Sequence, residues 1–327
     1  MRSRRATSTL GATDPLCYEP VPSILTFALS PMKLSTRLTW HAARTPLVRP
    51  LKAIKRAFAG EIVGRRRRFA ETLEVLPSID ARARQLNEDG YVSITDLIDP
   101  EVLNQLQAAG DEKIARAAEA EKHQTLRHKS FWVRLLDEDM VDGVLPTDNV
   151  FVAIALQDPV LQLLTRALGE VPQMDYVLLT LSQGSDAPLT SSQLWHKDYD
   201  DIRTLKLFVY LTDVEKPEHG PFTFLPAPSS DKIGFTRHSH RPDEQVFRGA
   251  VRREDVREMY GSRMSAFIVE TSRCLHMGSR LAPGHTRLLY TATFTTAPRL
   301  YPAPPAGFSL SGVESELALQ VLEGRLT

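Results

Sequence analysis

Helical periodicity dominates the first half of this chain, and short apolar segments separated by turn residues dominate the second. Leu51, Ile54, Phe58 and Ile62 recur at helical spacing after Pro46 and Pro50. Asp80 to Asn87 predicts a helix with an acidic residue in its first turn, ended by Glu88-Asp89-Gly90. Tyr91-Val92-Ser93-Ile94 carries a short β signal. Asp99 and Pro100 then open a further helix as N-cap and first helical residue, with Val102, Leu103, Leu106 and Ile114 as its buried stripe. Phe131-Trp132-Val133 is the expected anchor of a mixed, charged stretch. Asp158-Pro159 starts a helix whose apolar face is Val160, Leu163, Leu164 and Leu168, and the periodicity stops at Gly169. Beyond it, strands are expected at Met174 to Leu181, Ser192 to His196, Leu205 to Leu211, Pro221 to Leu225, Ala266 to Val269 and Arg287 to Thr295. Successive short strands of this kind predict a sandwich or barrel. A helix is expected near Glu254 to Met259, and a last one over Gly312 to Leu322.

This pattern divides the chain into a basic N-terminal extension over 1–75, partly disordered, and a β domain over 76–327. The domain has a helical preamble and a charged, lid-like insert near 229–263. Arg2, Arg4 and Arg5 precede only a short apolar patch, Ile24 to Leu29, interrupted upstream by Glu19, Pro20 and Pro22, which makes a poor signal peptide. The residues before Met32 are expected to be unstructured or to reflect a misassigned start. The stretch from Leu34 to Ala59, which carries Arg37, Arg44, Arg49, Lys52, Lys55 and Arg56, has two readings together with the run Arg65-Arg66-Arg67-Arg68 that follows it. One is a solvated basic face on a helix packed by its other side; the second is a basic amphipathic segment resting on an anionic membrane. The formal net charge of +0 gives no field directed at nucleic acid. Two cysteines, Cys17 and Cys274, exclude a disulfide framework and a thiolate zinc site, so a reducing, cytoplasmic setting is expected.

Candidate chemistry centres on Trp195-His196-Lys197-Asp198. An imidazole and a carboxylate two residues apart on a strand share one face and can grip one metal ion. His276 is the candidate third ligand. Two imidazoles and one carboxylate are the donor set of a mononuclear iron(II) centre with open positions. A cosubstrate such as 2-oxoglutarate needs a buried guanidinium for its distal carboxylate, and Arg287, opening the apolar run Leu288 to Phe294, has the right setting. A structural ion pair is the other reading of Arg287. Lys206 lies on an expected strand that could turn it toward the metal, to contact cosubstrate or an anionic substrate, or outward to snorkel into water. His238 and His240 form a second His-x-His pair, read as solvated loop residues and as the rival metal pair.

Taken together, several segments resemble the phytanoyl-CoA dioxygenase family of iron(II)/2-oxoglutarate oxygenases. They are Leu86 to Ile94 with Asp99-Pro100-Glu101, the Trp195 to Asp198 motif, Leu207 to Asp213 leading into Gly220 to Pro226, and His276-Met277-Gly278-Ser279 with Arg287 and Tyr290 beyond. The resemblance implies a mainly β protein with flanking helices around a double-stranded β-helix (jelly roll, cupin-like) core. It implies His196, Asp198 and His276 as iron ligands, Arg287 as the 2-oxoglutarate anchor, and O2-dependent hydroxylation of a small organic or lipid-like substrate. Two departures stand out. Where the family often has Gly-Ser-His, this chain reads Ala227-Pro228-Ser229, so the family's usual substrates do not transfer. Where some relatives place a Ser two residues beyond the arginine, this chain has Leu289, leaving Thr180 and Ser279 as candidate hydroxyl partners for the cosubstrate. The presence of Asp198 disfavours halogenation. The alternative to an enzyme is a non-catalytic β-barrel binding protein, membrane-associated through its basic segment.

Overall fold

The structure, a computed structural model, describes residues 45–123, 132–233, 240–278, 280–301 and 307–323. Its longer helices are α1 Val48–Phe58, α2 Gly60–Thr72, α3 Pro77–Asp89, α4 Pro100–His123, α5 Asp158–Leu168 and α6 Glu316–Leu322. The strands are β1 Tyr91–Ser93, β2 Trp132–Arg134, β3 Val144–Pro146, β4 Gln173–Gln183, β5 Thr204–Tyr210, β6 Phe222–Phe224, β7 Arg257–Met259, β8 Ala266–Glu270, β9 His276–Met277, β10 Thr286–Thr295 and β11 Gly307–Ser309. Six strands form one antiparallel sheet in the order β1-β8-β5-β10-β4-β2, and β7-β6-β9 form a second, also antiparallel; β3 and β11 pair in parallel. Helices hold more residues than strands, so the fold is mixed α/β rather than mainly β. The reason is that one whole face of the large sheet needs helical cover.

The two faces of that sheet are chemically different. Leu179, Leu181, Leu205, Leu207, Val209, Ala266, Ile268, Leu288, Tyr290, Ala292 and Phe294 join the main core with residues of α3, α4, α5 and α6. The alternate positions face the second sheet. There Phe208, Tyr210, Phe267, Val269 and Leu289 meet Phe222, Phe224 and Cys274. Burying a medium to large apolar side chain contributes about 1.5–3 kcal/mol, so both layers are strongly specified. The end of α3 is fixed by Gly90, whose φ of +83° suits a left-handed C-cap. A Cβ there would lie 2.3 Å from Cys274 Sγ.

Three local expectations change. The stretch 192–196 is not a strand. Thr190 and Gln193 close a capping box around a turn at Ser191–Gln193, and Trp195 and His196 make only single bridges, to Arg241 and His276. Glu254 to Met259 is not an α-helix either: a single 3-10 turn at Arg253–Asp255 leads into β7, because the edge of β6 offers ladder hydrogen bonds.

The third change concerns α1, which is inverted. Its basic side faces the protein, where Lys52 is fully buried, and its apolar side faces outward, leaving Leu47, Ile54 and Phe58 exposed. Lys52 Nζ lies 2.5 Å from Asp201 Oδ2 and donates to the Thr296 and Pro298 carbonyls at 3.0 and 2.5 Å. Arg56 pairs with Glu170, and the buried Arg66 of α2 donates to the Val171 and Pro172 carbonyls. The cations turn inward because carboxylates and loop carbonyls there satisfy them. Among the described residues no single helix is long and apolar enough to cross a membrane.

Candidate active site

His196, Asp198 and His276 converge, and one ligand-type atom from each lies within 4.8 Å of the other two. The backbone builds this arrangement. His196 and His276 exchange both N–H···O bonds, at 2.8 and 2.9 Å, and Asp198 N donates to Thr271 O at 3.0 Å. Each imidazole is oriented by its Nδ1: His196 against Leu194 O at 2.8 Å, His276 against Cys274 O at 2.9 Å. A carbonyl at Nδ1 fixes that nitrogen as the donor and leaves Nε2 as the free lone pair, the form a metal needs. His196 Nε2 is 3.9 Å and His276 Nε2 is 3.7 Å from the Asp198 carboxylate. Burial, with His276 beside it, pulls His196 well below its ordinary pKa, so its neutral form prevails. Burial alone would raise Asp198, but Lys206, His276 and His196 hold its carboxyl below the usual carboxylate range. Largely shielded from solvent and converging on one point, the three donors fit a divalent metal with open positions. Among the described residues no other group of three such side chains gathers this closely.

Lys206 projects from β5 onto the inner face of the large sheet. Its Nζ is 2.8 Å from Asp198 Oδ2 and 3.5 Å from Asp200 Oδ2, and lies 5.7 Å from the centre of the Tyr176 ring. It does not snorkel. The Tyr176 hydroxyl donates to Asp200 at 3.4 Å. Burial pushes the Asp200 carboxyl up to about 6, against the pull of Lys206.

Arg287, 2% exposed, lies on the same face of β10 and donates to the Gly220 carbonyl. Burial lowers its pKa, and Tyr210 opposes that shift. A Cβ on Gly278, two residues past His276, would lie 3.7 Å from Arg287 Nη2, so the guanidinium borders the ligand loop. Thr180 shares this face, opposite Leu289, and donates to its carbonyl at 3.3 Å. Ser279 and His238 fall outside the described residues. His240 stacks on His196, with ring centroids 5.2 Å apart, so the half of the rival pair that is described borders this centre.

The sequence reading missed several neighbours. Ser182 is fully buried and pairs with Arg287 in register. Tyr176 and Asp200 complete the Lys206 cluster, and Tyr210 approaches Arg287 from β5. Extending the inward alternation of Arg287, Leu289, Thr291 and Thr293 to the partner strands would have found Ser182, Tyr176 and Tyr210. Trp195 Nε1 and Arg280 both donate to Asp243, at 3.0 and 2.9 Å, tying the insert to the residue before His196.

Two antiparallel sheets with a buried His-Asp-His cluster and an arginine on the same inner face define a metal-dependent oxygenase of the facial-triad class. Residues 86–265 match the phytanoyl-CoA dioxygenase (PhyH) profile, and the chain belongs to that family. It is therefore an iron- and 2-oxoglutarate-dependent dioxygenase by family, with His196, Asp198 and His276 as its candidate triad. Among solved structures, EctD from S. alaskensis with bound Fe matches at 16% identity and a TM-score of 0.51, covering 72% of this chain and 83% of that one. The non-heme alpha ketoglutarate dependent epimerase SnoN from nogalamycin biosynthesis matches at 16% identity and 0.47, covering 67% and 83%. The carbocyclase SnoK of the same biosynthesis matches at 16% and 0.45, covering 70% and 87%. At 16% identity the likeness to EctD concerns the fold alone. No curated protein matches the chain by sequence.

Proposed function

We propose that this chain hydroxylates a small organic or lipid-like molecule, using iron(II), 2-oxoglutarate and O2. The convergence of one ligand-type atom each from His196, Asp198 and His276 within 4.8 Å carries the reading. The two sheets are read as the opposed halves of a double-stranded β-helix within the catalytic unit 76–327, preceded by the helical extension up to residue 75.

His196, Asp198 and His276 would hold the iron. Arg287 would take the distal carboxylate of 2-oxoglutarate as a charge-assisted pair. Thr180 and Ser182 are the hydroxyls on that wall, with Ser279 kept as a candidate on the ligand loop. Iron(II) with 2-oxoglutarate supplies, when bound, the oxidising power for inserting one oxygen atom of O2 into a substrate C–H bond. The chain's own part is to hold and to exclude. The Nδ1 contacts keep both imidazoles aimed, Lys206 holds the Asp198 carboxylate in place, and Phe208, Phe222, Phe267 and Leu289 keep water from the wall behind the metal.

Anaerobic addition of iron(II) and 2-oxoglutarate should give a weak visible charge-transfer band that disappears in His196→Ala. Absence of both the band and 2-oxoglutarate binding in the wild-type chain would overturn the proposal. A screen for succinate formation over small organic molecules, lipids and carrier-bound acids would then identify the substrate.

A further inference from the structure

We propose that the outward face of α1 is a docking surface for an anionic lipid bilayer. Leu47 is 63% exposed, Ile54 55% and Phe58 91%, and Ile62 of α2 continues the stripe at 43%. Leu51 is half-buried within it, and Pro50, Ala53 and Ala57 are exposed between these positions. This is a full apolar helix face, not a scatter of single residues. Exposed apolar stripes on this scale mark contact surfaces.

The face is locked outward. To bury the apolar stripe, α1 would have to roll and withdraw Lys52 from Asp201 and from the carbonyls of Thr296 and Pro298. It would also withdraw Lys55 from the Leu300 carbonyl and Arg56 from Glu170 and the Ala297 carbonyl. Each of those groups would then be buried without its partner, which is strongly unfavourable. The inversion therefore follows from the internal ion pairs, and the outward face is left uncovered by the described residues.

Charge selects the partner. Residues 1–75 contain fourteen Lys and Arg against five Asp and Glu, in a chain whose totals balance at 40 and 40. Arg49 on α1 and Arg65, Arg67 and Arg68 on α2 are exposed. Arg49 and Arg68 make no ion pair among the described residues, while Arg65 and Arg67 lean on Glu323 and Glu170. A second copy docked by the same face across a twofold axis would set these arginines against themselves. The eleven-residue helix also offers far less than the roughly 800 Å² per partner of a stable dimer. Residues 1–44 are themselves cationic, with Arg2, Arg4, Arg5, Lys33, Arg37 and Arg44 against Asp14 and Glu19. An anionic bilayer supplies both the apolar layer and the opposite charge, which is how interfacial helices bind. Through Lys52, the docked helix grips Asp201, three residues past Asp198, so the metal loop would lie close to the lipid surface.

The test is sedimentation of the full-length chain with phosphatidylcholine vesicles, with and without about a quarter phosphatidylserine. The protein should pellet with the anionic vesicles and be released by salt. The double substitution Ile54→Glu and Phe58→Glu should weaken binding by at least about tenfold, because two apolar anchors are lost. Both sites are exposed, so the iron(II)/2-oxoglutarate band should be unchanged in that variant. Phe58→Trp provides a second reading, with fluorescence quenched by brominated anionic lipid. Three results would overturn the proposal. One is no pelleting with anionic vesicles. Another is equal pelleting of the glutamate variant. The last is a fall in oligomeric mass in that variant without any change in vesicle binding, which would assign the face to a second copy. Pelleting without the charge-transfer band would leave this proposal standing and remove the oxygenase reading instead.

Discussion

Lys52→Met removes one buried charge and keeps much of the side-chain volume. In the folded chain the ammonium is fully buried and spends its three donors on Asp201 and on the carbonyls of Thr296 and Pro298. Asp201 in turn accepts from Ile202 N at 2.7 Å, Leu300 N at 3.2 Å and Thr296 Oγ1 at 3.4 Å. Burial pulls the Lys52 pKa down and the Asp201 pKa up, and each is opposed mainly by the other. Methionine would leave a buried carboxylate without its cation, a loss of about 3–5 kcal/mol. The two stranded carbonyls add to that loss. In Lys52→Met with Asp201→Asn the charge is gone from both sides, and the Asn carbonyl can still accept from Ile202 N, although not also from Leu300 N, which donates to the other carboxylate oxygen. That double variant should be more stable than the sum of the single changes implies, with a coupling of about 1–3 kcal/mol. Urea denaturation of the four proteins in the cycle gives each term, with Arg49→Met, an exposed site on the same helix, as the control within about 0.5 kcal/mol of wild type. If Lys52→Met cost less than about 1 kcal/mol, as a surface lysine would, the internal anchoring of α1 would be refuted.

Arg287→Met should weaken 2-oxoglutarate binding by about 2–5 kcal/mol, more than tenfold, while iron affinity is kept; calorimetric titration of the iron-loaded protein measures it. Lys206→Met should do the reverse, lowering iron affinity by about 10–100-fold through loss of the ion pair that holds Asp198. Direct metal titration checks this, and an unchanged affinity would show that Lys206 does not position the ligand. Gly90→Ala should destabilise by about 1–3 kcal/mol, because alanine is strained at φ +83° and its Cβ would collide with Cys274 Sγ. Its urea midpoint should shift, whereas Gly169→Ala, also at positive φ but with nothing within 4 Å of the added Cβ, should shift less.

Local patterns in the sequence carried a large part of this structure. The inward alternation of Arg287, Leu289, Thr291 and Thr293 against Leu288, Tyr290, Ala292 and Phe294 marks β10 as a strand with two unlike faces. His196, Asp198 and His276 were legible because ligand chemistry demands those residue types. What escaped depends on pairing at long range. Ser182 is notable only because β4 sets it opposite Arg287, more than a hundred residues later. The turn before His196 looked like a strand because Leu194 and Trp195 are apolar; the Thr190 and Gln193 cap that overrides them is a side-chain event. The direction of α1 was the hardest to foresee. Its amphipathic pattern is strong, and apolar faces usually turn inward. Its polar face found Asp201, Glu170 and the carbonyls after β10 instead, and no periodicity within the helix records those partners.

Charge on the inner face of the large sheet is divided, and that division bears on what each cation can bind. Lys206 sits between two carboxylates, Asp198 and Asp200, so its surroundings are net negative before any metal enters. A second anion brought there would meet both. Arg287 has a different setting: burial lowers its pKa, Tyr210 opposes that shift, and the Gly220 carbonyl takes one of its donors. A buried guanidinium gains from a carboxylate that it can grip as a charge-assisted, bidentate pair. In the function proposed above the anionic cosubstrate goes to the Arg287 end, and Lys206 is better matched to steadying Asp198 than to gripping the cosubstrate. Once a divalent ion is bound by the triad, its positive charge and that of Lys206 flank the same carboxylate. The raised carboxyl of Asp200 then becomes the site's reserve of negative charge, since a nearby cation favours its ionised form.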